Sequence, residues 1–161
     1  MFIQNTDLFK DLGAEATYEI SEAMVEESCE KGFVLYTQRD PARHCYILVE
    51  GRVRLTIGQG AEINYTVTKP GEVFGWSSMV DRKFHAASAE CVTASKVVKI
   101  ERDTLNRIFE KDPFAGMTFF RRLAAAVVQR LIESHEAFFS ECRLEGITSF
   151  GTGQVSDTRE E

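Results

Sequence analysis

Between Glu27 and Glu101 the apolar residues of this chain recur with a period of two, and glycines or small polar residues interrupt them every several positions. A two-residue period sends successive side chains to opposite faces of an extended backbone, so the stretch is a series of short strands. Segments 33–36, 45–49, 53–57, 62–68, 87–93 and 96–100 carry the pattern. Glu50-Gly51 is a tight hairpin signal, and Gly58-Gln-Gly60 marks a second turn. Closely spaced strands with glycine turns predict a sandwich or a jelly-roll barrel (a β-roll, or double-stranded β-helix) over about 27–101.

On both sides the period changes. From Asp7 to about Val25, Leu8, Leu12, Ile20 and Met24 stand at helical spacing broken near Gly13, which predicts two short helices. After Glu101 a short helix runs through Leu105, Ile108 and Phe109 and stops before Pro113. Pro113 suits the first turn of a long helix reaching about residue 143. Along it Phe120, Ala124, Val127, Leu131, Ser134 and Phe138 alternate spacings of four and three, a coiled-coil-like seam. Phe119, Leu123, Ala126 and Arg130 form a second stripe. The expectation is an α+β domain over 1–145, with short N-terminal helices, a β-roll and a long C-terminal dimerisation helix. Residues 146–161 hold three glycines among mostly polar neighbours and are expected to be a flexible tail.

Composition narrows the function classes. At 161 residues and 43% hydrophobic content the chain suffices for one domain with a real core. No apolar run is long enough for a membrane helix, and the N-terminus lacks a basic-then-apolar signal layout. A formal charge of −6 argues against a general nucleic-acid surface. Cys29, Cys45, Cys91 and Cys142 are widely spaced, which fits reduced thiols better than a disulfide framework or a zinc site. The expected location is the cytoplasm.

The stretch Lys69-Pro-Gly-Glu-Val-Phe-Gly-Trp-Ser-Ser-Met-Val80, followed by His85-Ala-Ala-Ser-Ala89, resembles the phosphate-binding cassette of cyclic-nucleotide-binding domains. With Tyr46-Ile-Leu-Val-Glu-Gly-Arg-Val-Arg-Leu55 and Val97-Val-Lys-Ile100, the resemblance extends to the sensor half of the catabolite-activator and fumarate–nitrate regulator family, over roughly Leu8 to Arg143. It implies a regulatory role, a homodimer through the long helix, and effector contacts from Phe74, Gly75, Trp76, Ser77, Ser78, His85, Ala86 and Ala87. In that family a glutamate accepts from the ribose 2′-hydroxyl and an arginine forks onto the cyclic phosphate. Trp76 and His85 stand at those two positions here. Indole is a donor and a stacking face, and imidazole lacks the planar fork of guanidinium. The expected effector is therefore a small anionic or aromatic molecule other than cyclic AMP or cyclic GMP.

Several residues admit two readings. Trp76 stacks on a ring-shaped ligand or plugs the pocket. His85 is an anion-responsive switch titrating near neutrality or a partly buried filler. Arg82 and Lys83 either supply a phosphate contact, keeping cyclic-nucleotide binding alive, or form a solvated loop. His44-Cys45 suggests haem ligation, against which stands a thiol opening an apolar strand. An iron–sulfur sensor needs a cysteine cluster, and a cupin-type enzyme needs several histidines on neighbouring strands; with only His44, His85 and His135, catalysis is not expected. The family's transcription factors continue into a winged helix-turn-helix, and the sixteen residues of 146–161 cannot hold one. Signalling through a protein partner is the expectation, with a ligand-free interaction domain as the alternative.

Overall fold

The computed structural model describes residues 6–58, 63–80 and 82–141, without the side chains of Ile63 and 138–141. In chain order it forms α1 (Ala14–Ala23), β1 (Val25–Cys29), β2 (Val34–Tyr36), β3 (His44–Glu50), β4 (Val53–Ile57), β5 (Ile63–Val67) and β6 (Val73–Phe74). A 3₁₀ turn (Trp76–Met79) leads to β7 (Ser88–Cys91), β8 (Ser95–Glu101), α2 (Arg102–Lys111) and α3 (Pro113–Glu141). The strands make two four-stranded antiparallel sheets, ordered β1-β8-β3-β6 and β2-β7-β4-β5. This is the expected roll. Two local expectations fail: residues 6–12 are turn rather than a second N-terminal helix, and the polar-faced Val25–Cys29 opens the roll as a strand.

The hairpin expected at Glu50-Gly51 is also corrected. β3 pairs with β6 and β8, while β4 pairs with β5 and β7, so this turn carries the chain between sheets. The reason lies in β3, where Cys45, Tyr46, Ile47 and Leu48 are buried in succession. A strand covered on both faces has a continuous apolar run rather than a half-buried alternation, and its edges here are already taken by β6 and β8.

Two apolar clusters follow from this double coverage. On the helix side of the first sheet, Cys45, Ile47, Val98 and Ile100 meet Leu8, Phe9, Leu12 and Ile20 and the α2–α3 residues Leu105, Ile108, Phe109, Ala115, Phe119 and Leu123. Between the sheets, Tyr46, Leu48, Phe74 and Val97 face Tyr36, Val53, Val67, Ala89 and Cys91. The start of α3 is held by Asp112, whose Oδ1 accepts from the Ala115 amide at 3.0 Å. Gly116 lets α3 approach α2, since a Cβ there would lie 2.9 Å from Phe109 Cβ. Phe119 then stacks at tilt on Phe9 and Phe109, with centroids 5.2 and 4.9 Å away. Phe119 and Leu123 are thus core residues and not part of an outward stripe.

By its packing the chain divides after Leu123. The described residues up to Leu123 form the roll with its helical cover. From Ala124 the described residues are the distal part of α3, whose Val127, Val128, Leu131 and Ile132 are exposed. Among the described residues no helix is long and apolar enough to cross a membrane.

Candidate functional site

The cassette sits on an aromatic floor. Gly75 adopts the left-handed conformation (φ 74°, ψ 27°) that ends β6 and opens the 3₁₀ turn. A Cβ on Gly75 would fall 3.0 Å from Tyr46 Cδ2 and 3.3 Å from the His44 carbonyl oxygen, so the backbone passes too close for a side chain. Beneath it Tyr46 stacks on Phe74 at 5.4 Å and meets Tyr36 at 5.4 Å. Phe74 is fully buried, so its ring belongs to the floor and not to a ligand-facing surface.

The two serines differ in what they offer. Ser78 is buried, and its amide and hydroxyl both donate to the Gly75 carbonyl, at 3.2 and 3.0 Å. Its hydrogen bonds close the turn. Ser77 Oγ accepts from the Ala86 amide at 3.1 Å, which leaves its own O–H as a donor in the cassette. That bond ties the 3₁₀ turn to Ala86, and Ala86 and Ala87 are half-buried.

His85 is 4% exposed and lies flat on Tyr36, ring centroids 3.7 Å apart and planes 13° off parallel. Its amide donates to the Asp40 carbonyl at 2.9 Å, and its carbonyl accepts from the Arg39 amide at 3.0 Å. Burial pushes the imidazole down to about 4, although Asp40 pulls the other way. Burial thus favours the neutral ring, which supports the filler reading over a switch titrating near neutrality.

Trp76 donates Nε1–H to the Val73 carbonyl at 2.9 Å and packs, half-buried, against the helix-side cluster. Arg82 and Lys83 are exposed on the loop before Phe84, and no described carboxylate pairs with either. The haem reading of His44-Cys45 dissolves in strand geometry. Cys45 is fully buried in the helix-side cluster, its thiol donating to the Phe74 carbonyl, while the next ring to His44 is Tyr46 between the sheets. Among the described residues no group of three or more His, Cys, Asp or Glu could hold a metal ion.

Residues beyond the cassette complete the surroundings. Leu55 and Tyr65 face each other across β4 and β5, and both pack half-buried on the cluster between the sheets. Tyr65 donates its hydroxyl to Glu72 at 2.8 Å, just before the cassette strand. Sequence reasoning missed these three and the Tyr36–Tyr46 floor. The available signal was the strand period, which places Tyr46 and Leu48 on one face and Leu55 and Val53 on another.

A model of the family described as "cyclic nucleotide-binding domain" matches residues 26–112. Over 119 residues the chain is 23% identical to a CRP-like cAMP-activated global transcriptional regulator of Mycobacterium tuberculosis, covering 73% of this chain and 53% of that protein. It thus spans about half the length of the curated relatives it matches. A cyclic nucleotide-binding domain from Methylobacillus flagellatus superposes with a TM-score of 0.75 at 21% identity, covering 91% of this chain and 83% of that one. The sensor domain of the transcriptional regulator DNR from Pseudomonas aeruginosa does so at 0.67 and 22%, covering 81% and 94%.

Proposed function

This chain belongs to the cyclic nucleotide-binding domain family, and on that premise we propose that it is a regulatory sensor module for a small ligand other than cyclic AMP or cyclic GMP. The observation that carries the reading is the neutral, buried His85, stacked on Tyr36 where the family resemblance expects a phosphate-binding arginine. A charge-assisted hydrogen bond contributes about 1.5–3 kcal/mol, so its absence alone weakens a cyclic phosphate at least ten-fold. The Ser77 hydroxyl and the half-buried Leu55 and Tyr65 suit a small aromatic ligand with one or two polar atoms better than a phosphodiester.

Calorimetry of the unmodified protein is expected to detect no micromolar binding of cyclic AMP or cyclic GMP. Micromolar binding would overturn the reading; if it vanished in Arg82→Ala plus Lys83→Ala, those exposed cations would be the phosphate contacts. The double change Trp76→Glu plus His85→Arg is expected to create measurable cyclic-nucleotide affinity. To find the effector, a thermal-shift screen of nucleotides and aromatic acids serves best: a ligand at about 100 times its dissociation constant adds about 2.7 kcal/mol. A screen without a single shift would favour the ligand-free interaction domain.

The same reading assigns the output to α3. Phe120, Val127 and Leu131 are exposed on it, joined by Val128 and Ile132, which the heptad spacing had not singled out. Phe138's side chain and the 146–161 segment lie outside the described residues. An apolar helix surface of this breadth is covered in a parallel homodimer, and ligand affinity that differs between two dimer geometries would pass the signal to a protein partner in the cytoplasm. With a net charge of −6, direct nucleic-acid binding is no part of the proposal. Light scattering at tens of micromolar is expected to give a dimer for the native protein and a monomer for Leu131→Glu. A native monomer, or a dimeric variant, refutes the assignment.

A further inference from the structure

The role proposed above leaves one buried pair of groups unused. Cys29 is the last residue of β1, in the first sheet, and Cys91 the last of β7, in the second. They are 7% and 0% exposed within the cluster between the sheets, close enough for each thiol to influence the other's ionisation. The backbone fixes the same juxtaposition independently. Cys29 stands opposite Ser95 in the β1–β8 ladder, and the Ser95 hydroxyl donates to the carbonyl of Thr93, two residues past Cys91, at 3.0 Å. Gly32, three residues past Cys29, donates its amide to the Cys91 carbonyl at 2.7 Å, and Cys91 donates its own to Phe33 at 2.9 Å. Cys45, the third described cysteine, has no such neighbour; its thiol bonds the Phe74 carbonyl.

We infer that Cys29 and Cys91 are a modification site for hydroperoxides: a dithiol that closes into a disulfide joining the two sheets. Two buried thiols whose strands are tied together this closely need only a local shift to reach disulfide length. In the first step one sulfur takes a hydroxyl from the peroxide O–O bond, giving a sulfenic acid; the thiol proton leaves with the other oxygen, as water from hydrogen peroxide or as an alcohol from an organic hydroperoxide. In the second, the other sulfur attacks the sulfenic sulfur, and the displaced hydroxide leaves with that thiol's proton as water. Two electrons pass from the sulfurs to one peroxide. Because burial raises both thiols, Cys91 to about 11, the pair stays protonated at neutral pH and the closure is slow, faster in alkali. It thus answers sustained oxidation rather than a brief pulse. The link also constrains β7, the strand that follows His85.

Peptide mapping of the full chain after millimolar hydrogen peroxide tests the inference. Expected are a mass loss of two hydrogens, one peptide pair joining Cys29 to Cys91, and faster closure at higher pH. Cross-linking a loop of about 60 residues should also raise the melting temperature on the order of 10 °C, reversibly with dithiothreitol. Cys45→Ala should close as the native protein does, and Cys29→Ala should not. Should Cys29→Ala fail to fold, mapping of the native chain and Cys45→Ala still decides. Both thiols remaining free, separate sulfinic acids, or a link through Cys45 or Cys142 would each overturn it.

Discussion

Gly51→Ala is expected to be the most destabilising single-methyl addition among the described glycines, lowering stability by about 4 kcal/mol or abolishing folding. Gly51 has φ 94°, a conformation that L side chains resist, which alone costs on the order of 1–2 kcal/mol. The larger part is steric. A Cβ there would stand 2.4 Å from Ser95 Oγ, 2.6 Å from the Ala94 carbonyl oxygen and 2.7 Å from Ser95 Cα. Two of those atoms are backbone and cannot swing aside. Ser95 Oγ also accepts from the Arg52 amide at 3.2 Å and meets the Thr93 carbonyl at 3.0 Å, so moving it disrupts the turn that carries β3 into β4. Gly32→Ala is the matched control: its φ is 85°, but nothing lies within 4 Å of the added methyl, and only the conformational cost should remain. Urea unfolding measures both. Equal midpoints for the two variants would show that the Gly51 turn is not packed as described.

That glycine also marks where sequence reasoning stopped. Glu50-Gly51 announces a reversal, and a reversal between two apolar runs predicts a hairpin. Whether the two strands then pair depends on neighbours far along the chain, here β8 and β6 against β3 and β7 against β4. Period and turn residues carry no information about such distant edges, whereas they do locate the strands: β4 and β5 fall within their predicted spans. Val25–Cys29 was illegible because three of its five residues, Glu26, Glu27 and Ser28, are polar; Glu27 pairs with Lys99 and Glu26 with Lys96 across the ladder. The helical stripe on α3 divided for a related reason. Phe119 and Phe120 are adjacent and chemically identical and both meet Phe109, but only Phe119 also packs on Phe9, which makes it core while Phe120 stays exposed. At the site, motif spacing located the cassette glycine and His85. It could not show that Trp76 turns to the helix side, because side-chain direction around a 3₁₀ turn is set by the cluster it meets.

Acid is expected to remove about 3 kcal/mol of stability between pH 6.5 and 4 through His85 alone. The folded imidazole titrates at about 4, against 6.5 when unfolded, because burial disfavours the cation and His44 adds to the effect, outweighing the pull of Asp40. Below 6.5 the unfolded chain therefore binds a proton that the folded chain refuses. Stability contributed by this group is complete above 6.5, falls as pH drops, and is lost by the time pH passes the folded value near 4. His44, lowered by burial and by Lys99, adds in the same sense, while Asp40 acts in a lower window, since its carboxyl is held below the usual range by the Thr37 amide. His85→Phe keeps a ring against Tyr36 and cannot titrate, so it should flatten most of the decline while leaving neutral-pH stability nearly unchanged. The same number bears on the ligand. A histidine that titrates this low cannot meet a cyclic phosphate as a cation at pH 7, unless the phosphate itself supplies the roughly 4 kcal/mol that protonation there costs. A direct measurement is the proton NMR titration of the His85 ring. A midpoint between 6 and 7, or a His85→Phe protein that loses stability with acid as steeply as the native one, would remove both the packing argument and its consequence for the effector.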